Sequence, residues 1–258
     1  MTIDNTPRYV PIEKAVTMPG LRIAFTQGVP GAWSVAIRAI LDIKGIDYIP
    51  VAQDPGGENK PLKDWTGQTS APVVVFNDDR ARVHWSEMLA LAEQLQPQPR
   101  VIPLDEEERI TMMGLCHEIC SEDGLGWNVR LMLLSGERGP PKDQSGDGMR
   151  RKYRSPVTTE HARHRVWTIL RALASRLERQ AAAGKRYFMG AELTAADIYW
   201  TAFSNLFSPM TEDLCTMPEG YRGLGSVLQL YLEDPLPQIL FDHRDYVARN
   251  HFKIPIAL

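Results

Sequence analysis

Thr69-Ser70-Ala71-Pro72-Val73-Val74-Val75, followed after a polar turn by Trp85-Ser86-Glu87-Met88-Leu89-Ala90-Leu91-Ala92-Glu93-Gln94-Leu95, decides how this chain folds. The first stretch sets a proline at the mouth of a β-branched strand, and the second runs as an apolar stripe at helical spacing. Pro72 has no N–H, so the carbonyl and amide just before it stay free to pair with an extended backbone from elsewhere. A helix that opens beside an acid offers unpaired amides and one negative charge at the same spot.

Working outward, Leu21-Arg22-Ile23-Ala24-Phe25 reads as a strand and Gly28-Val29-Pro30-Gly31 as a turn. Trp33, Ala36, Ile37, Ile40 and Leu41 recur at helical spacing, with Gly45 as the stop. Tyr48 to Val51 is a second strand, and a right-handed parallel crossover follows from that order. Residues 54–68 have room for one short irregular helix. Val73 to Phe76 and Ala81 to His84, across Asn77-Asp78-Asp79, predict a β-hairpin, and the helix over 86–95 closes a βαβ-ββα unit at residues 18–96. Three prolines between Pro97 and Pro103 make a stiff linker. Beyond it, residues 104–258 carry helical patterns only. One long pattern opens at Asp105-Glu106-Glu107-Glu108 and reaches Leu134. Residues 137–157 predict a loop, Thr158 to Ala183 a second long helix, and shorter helices cover about 195–208, 224–232 and the stretch from 235.

The 258 residues are 43% apolar and 24% charged with net charge −3, as in an ordinary soluble globular protein. That charge gives no reason to expect nucleic acid or an anionic membrane as partner. No apolar run is long enough to span a bilayer, and Met1 to Lys14 lacks the apolar region of a secretion signal, so a cytoplasmic location is expected. The three cysteines, Cys116, Cys120 and Cys215, are too few and odd in number for a secreted disulfide framework. Cys116 and Cys120, four apart with His117 between, read as helix-packing thiols, and no metal is expected.

Three separated features resemble the glutathione transferase superfamily. Ala71-Pro72 is similar to its Val-Pro, whose proline is cis. Glu87 to Leu95 resembles its acid-Ser helix start. Met189-Gly190-Ala191-Glu192-Leu193-Thr194-Ala195-Ala196-Asp197 resembles the Gly…Ser/Thr-x-x-Asp signature of its helical domain. Thr194 and Asp197 also have capping-box spacing, which stabilises a helix start and performs no chemistry. The resemblance implies an α/β plus all-α protein: an N-terminal thioredoxin-like domain that binds glutathione, then an all-helical domain, assembled as a homodimer. It implies Gln68, Thr69, Ala71 and Pro72 around the tripeptide backbone, with Ser86 and Glu87 at its charged end. Met88 stands at the family's serine, so Ser86 substitutes if the helix begins one residue earlier. Lys60 and Lys63 are either ordinary surface lysines or partners of the tripeptide's glycine carboxylate.

The family activates the glutathione thiol with a Tyr, Ser or Cys where the first strand meets the first helix. Here Gly31 and Ala32 stand at the usual Ser/Cys-Pro, and no Tyr is near. What remains is a helix start whose amides at Ala32, Trp33 and Ser34 point outward, plus the hydroxyls of Thr26 and Ser34. Ser34 reads equally as a helix cap. With no cysteine there, a mixed disulfide with glutathione is not expected. The acceptor, a small hydrophobic electrophile, would sit between the domains against Trp33, Trp127 and Arg130, on a wall that also carries His117. The basic run Arg150, Arg151, Lys152 and Arg154 is either a solvated face or steers an acidic acceptor. The expected activity is glutathione transfer; the alternative is a glutathione- or partner-binding module without turnover.

Overall fold

The computed structural model describes residues 7–55, 57–138 and 147–258. A short helix α1 (Ile12–Ala15) precedes β1 (Leu21–Thr26), α2 (Ala32–Lys44), β2 (Ile49–Gln53), α3 (Lys60–Thr66), β3 (Val73–Phe76) and α4 (Trp85–Leu95). The sheet order is β2-β1-β3, with β1 parallel to β2 and antiparallel to β3. β1 is the central strand and is buried along nearly its whole length, which is why it reads as an apolar run rather than an alternating one. Gly45 closes α2 in the left-handed region at φ 65°, as its place after the apolar stripe predicts.

Two expectations for this half are corrected. The second hairpin strand, Ala81 to His84, shrinks to one bridge, Val74 to Arg82, because Arg82 turns its side chain back to Asp79 and His84 leaves the sheet to cap α4. The unit also reaches back before residue 18: Val10 bridges Val51, donating to the Pro50 carbonyl at 2.8 Å. α1 then packs Ala15 into a small second core with Ala24, Val51, Leu62 and Val73.

Residues 96–105 contain neither helix nor strand. The second half is α5 (Glu106–Cys120), α6 (Leu125–Ser135), α7 (Asp147–Lys152), α8 (Thr159–Ala182), α9 (Ala195–Ser204), α10 (Glu219–Leu232) and α11 (Gln238–His251). The single long pattern from Asp105 to Leu134 is thus two helices. Asp123 at φ 59° breaks it, and a Cβ on Gly124 would lie 2.7 Å from the Glu118 carbonyl, so only glycine allows the chain to turn so closely. The region read as a loop over 137–157 contains α7; residues 139–146 lie outside the described residues. The Thr194–Asp197 capping box is present. Asp197, wholly buried, accepts from the Thr194 N–H at 2.8 Å, the Thr194 hydroxyl at 2.7 Å and the Phe188 N–H at 2.8 Å.

One hydrophobic core runs without a break from β1 and α2 through α4 into α5, α6, α8 and α9. At the seam, Trp85 of α4 donates from its indole to Ser121 at 2.8 Å and packs edge-on against Tyr199 at 5.6 Å. Lys44, fully buried, ties α2 to the linker: its ammonium pairs with Glu93 at 2.9 Å and donates to the carbonyls of Gln96 and Pro99. Such a cation is tolerable in the interior because both its charge and its donors are matched.

Candidate functional site: the groove between the Pro72 loop and the first turn of helix α2

The Ala71–Pro72 bond is cis, as the resemblance implied. Among the described residues neither the amide nor the carbonyl of Ala71 has a backbone partner, so this segment is open to an extended ligand. Its position is fixed from behind by Gln53, a buried side chain at the end of β2. Gln53 donates to the carbonyls of Asp54 at 2.6 Å and Thr69 at 3.1 Å, and accepts from the Thr26 hydroxyl at 2.5 Å. Gln68 donates its amide to the Thr66 hydroxyl at 3.2 Å. The ends of β1 and β2 and the Pro72 loop are thereby one braced unit. Thr26's single proton goes to Gln53, which leaves it no donor for a ligand sulfur.

Facing the loop is the start of α2. Gly31 is its N-cap, and no side chain caps the helix. Ser34 therefore does not act as a cap: it is buried, yet its hydroxyl has no hydrogen-bond partner and is not sealed from solvent. A Cβ placed on Gly31 would lie 3.7 Å from Ser34 Oγ, so that hydroxyl hangs beside the helix mouth. Three unpaired amides, at Ala32, Trp33 and Ser34, and one free hydroxyl meet at the positive end of a 13-residue helix.

The acid expected at the ligand's charged end has other partners. α4 begins one residue earlier than predicted, at Trp85, with His84 as N-cap. Glu87 completes a capping box through the Val83 and His84 N–H groups, each at 3.4 Å, and pairs with Arg80 at 2.8 Å. Burial pushes its carboxyl up, but Arg80 and the two amides outweigh that and hold it below the ordinary value. Ser86 lies 2.7 Å from the His84 ring. Lys60 pairs with Asp64 in the open.

The three residues assigned to the acceptor do converge. Trp33 reaches across the seam, donating to the Cys120 carbonyl at 2.9 Å and packing edge-on to Phe203 at 4.7 Å. The Arg130 guanidinium lies 4.3 Å from the Trp33 ring centre and 5.5 Å from that of Trp127. A third ring completes the cluster: Tyr153, 4.2 Å from Arg130, edge-on to Trp127, its hydroxyl 3.4 Å from Ser70 Oγ beside the cis bond. Tyr153 and Ser70 escaped the sequence reading. Tyr153 ends a six-residue helix inside a Gly/Pro-rich stretch, where no periodicity marks it, and Ser70 belongs to the deciding stretch but has no distinguishing spacing. His117, by contrast, is exposed on α5, separated from Trp127 by the helix break. Cys116 and Cys120 pack in the core, where burial raises both thiols well above their ordinary value.

No protein-family model matches the sequence, and no curated protein does. Solved structures do resemble the fold. A glutathione S-transferase from Methylobacillus flagellatus with glutathione bound superposes with TM-score 0.63 over 92% of this chain and 100% of its own, at 15% identity. A glutathione transferase family member from Pseudomonas fluorescens with two glutathione bound gives TM-score 0.63 over 93% and 95%, at 13% identity. A maleylacetoacetate isomerase from Anaeromyxobacter dehalogenans gives 0.52 over 92% and 88%, at 18% identity. A thioredoxin-like sheet domain joined to an all-helical domain in this order is the fold of the glutathione transferases, and this chain has it.

Proposed function

We propose that the chain binds glutathione in the groove between Ala71–Pro72 and the start of α2, and lowers the pKa of its thiol for transfer to an electrophile. The supporting observation is the uncapped mouth of α2 with the partnerless Ser34 hydroxyl beside it. A thiol of pKa about 8.5 is only a few per cent ionised at pH 7. Lowering it by two units takes about 2.7 kcal/mol. A helix terminus supplies about 0.3–1 kcal/mol, up to about 2 when partly buried, and a hydrogen bond to a charged group adds about 1.5–3 kcal/mol. The two together reach the required magnitude; neither does alone. The thiol proton leaves to water, the sulfur lone pair forms the bond to the electrophilic carbon, and the displaced pair stays on the acceptor or departs with its leaving group. Gln68, Thr69 and Ala71 hold the tripeptide backbone, and Glu87 meets its amino end with Arg80 alongside. The protein works as a homodimer in this reading, which light scattering in solution decides.

Ultraviolet absorbance of bound glutathione against pH tests the proposal. We expect thiolate to form at least one unit below free glutathione, and Ser34→Ala to move that value back up by about one unit. A bound thiol with an unshifted pKa would instead make the chain a carrier. Thr26 and Glu87, both engaged within the protein, give that second reading its support.

A further inference from the structure

Arg130 is unlike the other guanidiniums withdrawn from water. Arg22 donates to the carbonyls of Ala15 and Met18, Arg38 to the Tyr9 hydroxyl, Arg176 to the Phe188 carbonyl, and Arg244 to Asp245 and the Ser208 carbonyl. Arg130 has three aromatic neighbours and, among the described residues, no carboxylate, carbonyl or hydroxyl to donate to. Ring contacts cover the faces of a guanidinium; its five N–H bonds lie in the plane and need acceptors of their own. None of its nitrogens is among the sealed, unpartnered atoms of the protein, so those donors stay reachable from the cleft. Burial against the rings also pulls the group below its ordinary value, with Tyr153 opposing the change. A cation held this way is preorganised for an anion: its rotamer is fixed, its water is stripped, and its bidentate edge is vacant.

Its position says which anion. Trp33 belongs to the first turn of α2, and Tyr153 stands over Ser70, so Arg130 sits where the two walls of the groove meet the helical domain. Arg151, Lys152 and Arg154 are exposed around Tyr153 and give the approach a positive field. A cavity of about 550 Å³ adjoins Tyr153, with Leu131 and Leu134 in its lining and Arg154 at its edge. We propose that Arg130 is the anion-recognition group of the acceptor subsite, and that the acceptor is an organic carboxylate with a flat apolar body. The carboxylate takes the free guanidinium edge and the body lies against Trp127 and Tyr153. Naming this ligand the acceptor rests on the thiol-transfer reading; the anion subsite itself does not.

Calorimetric titration of the full chain with cinnamate and with cinnamamide, each with and without glutathione, tests the assignment. The two probes differ in charge and share the flat body. We expect cinnamate to bind about tenfold tighter or more, with or without glutathione. Arg130→Gln should erase the difference while glutathione affinity stays within about twofold, and Arg130→Lys should retain part of it. Equal affinity for acid and amide in the unaltered protein overturns the proposal, and that comparison needs no variant to fold. An unchanged preference in Arg130→Gln overturns it too. So does competition between cinnamate and glutathione with loss of tripeptide affinity in the variant, because Arg130 would then hold the tripeptide's own carboxylate. A chain that binds cinnamate through Arg130 but never binds glutathione leaves the subsite standing and ends the transfer reading.

Discussion

Thr26 and Ser34 carry similar groups within a short distance along the chain, and their surroundings assign them opposite tasks. The Thr26 proton is held by Gln53, whose amide in turn braces the Thr69 carbonyl beside the Pro72 loop. Thr26→Val keeps the shape but leaves the buried Gln53 oxygen without a donor. We expect a loss of about 1–3 kcal/mol in urea denaturation, with the pKa of a bound thiol unchanged. Ser34→Ala should show the reverse pattern, a shifted thiol and nearly unchanged stability, since its hydroxyl bonds to nothing in the protein. Glu87 illustrates the same point for charge. Its acid is legible in the sequence, but its geometry with Arg80 and the α4 amides is a capping arrangement first.

At the scale of elements, the break between α5 and α6 positions the acceptor side of the groove. Gly124 makes the tight turn, and Gly126 lets α6 come against α9 and α2. A Cβ on Gly126 would overlap the ring of Phe203 and lie 3.1 Å from Trp33. Phe203 is wholly buried, so the ring has nowhere to retreat. Gly126→Ala should therefore destabilise the protein by about 1–3 kcal/mol despite the better helix propensity of alanine. It should also alter the near-ultraviolet circular dichroism of Trp33. An unperturbed spectrum with full stability would show that the seam is looser than this packing implies. The missing hairpin strand belongs here as well. His84 cannot both extend the sheet and cap α4, and the cap satisfies a helix start whose acid lies three residues on.

For the molecule as a whole, one core spanning both halves means that groups buried far apart report on a single transition. Burial pushes Tyr48 up to about 12 from its ordinary 10.0 and Cys215 up to about 11 from 9.0. It also raises Cys116, Cys120 and Tyr199 well above theirs. Each is an acid held neutral in the folded state that ionises more readily once unfolded. Their contribution is complete below pH 9, the unfolded thiol value, and is lost as pH climbs through 9 and 10 toward the folded values. Thermal melts should accordingly be level near neutrality and fall steeply above pH 9 in one cooperative step. Two separated transitions would contradict the continuous core.

The sequence by itself determined the strand and helix order, the stop at Gly45, the cap at Thr194 and Asp197, and the Ala71–Pro72 junction. Each of these is local, fixed by periodicity or by a residue whose backbone chemistry admits few alternatives. It also pointed to Trp33, Trp127 and Arg130, because aromatic and cationic residues at a helix start and helix face are visible as such. Only the tertiary structure decided that Thr26 is occupied by Gln53, that Ser34 is free, and that Tyr153 closes the cage around Arg130. Those outcomes depend on which side chains from distant segments arrive at the same point, and whether a donor or acceptor is vacant is a property of that meeting rather than of the residue.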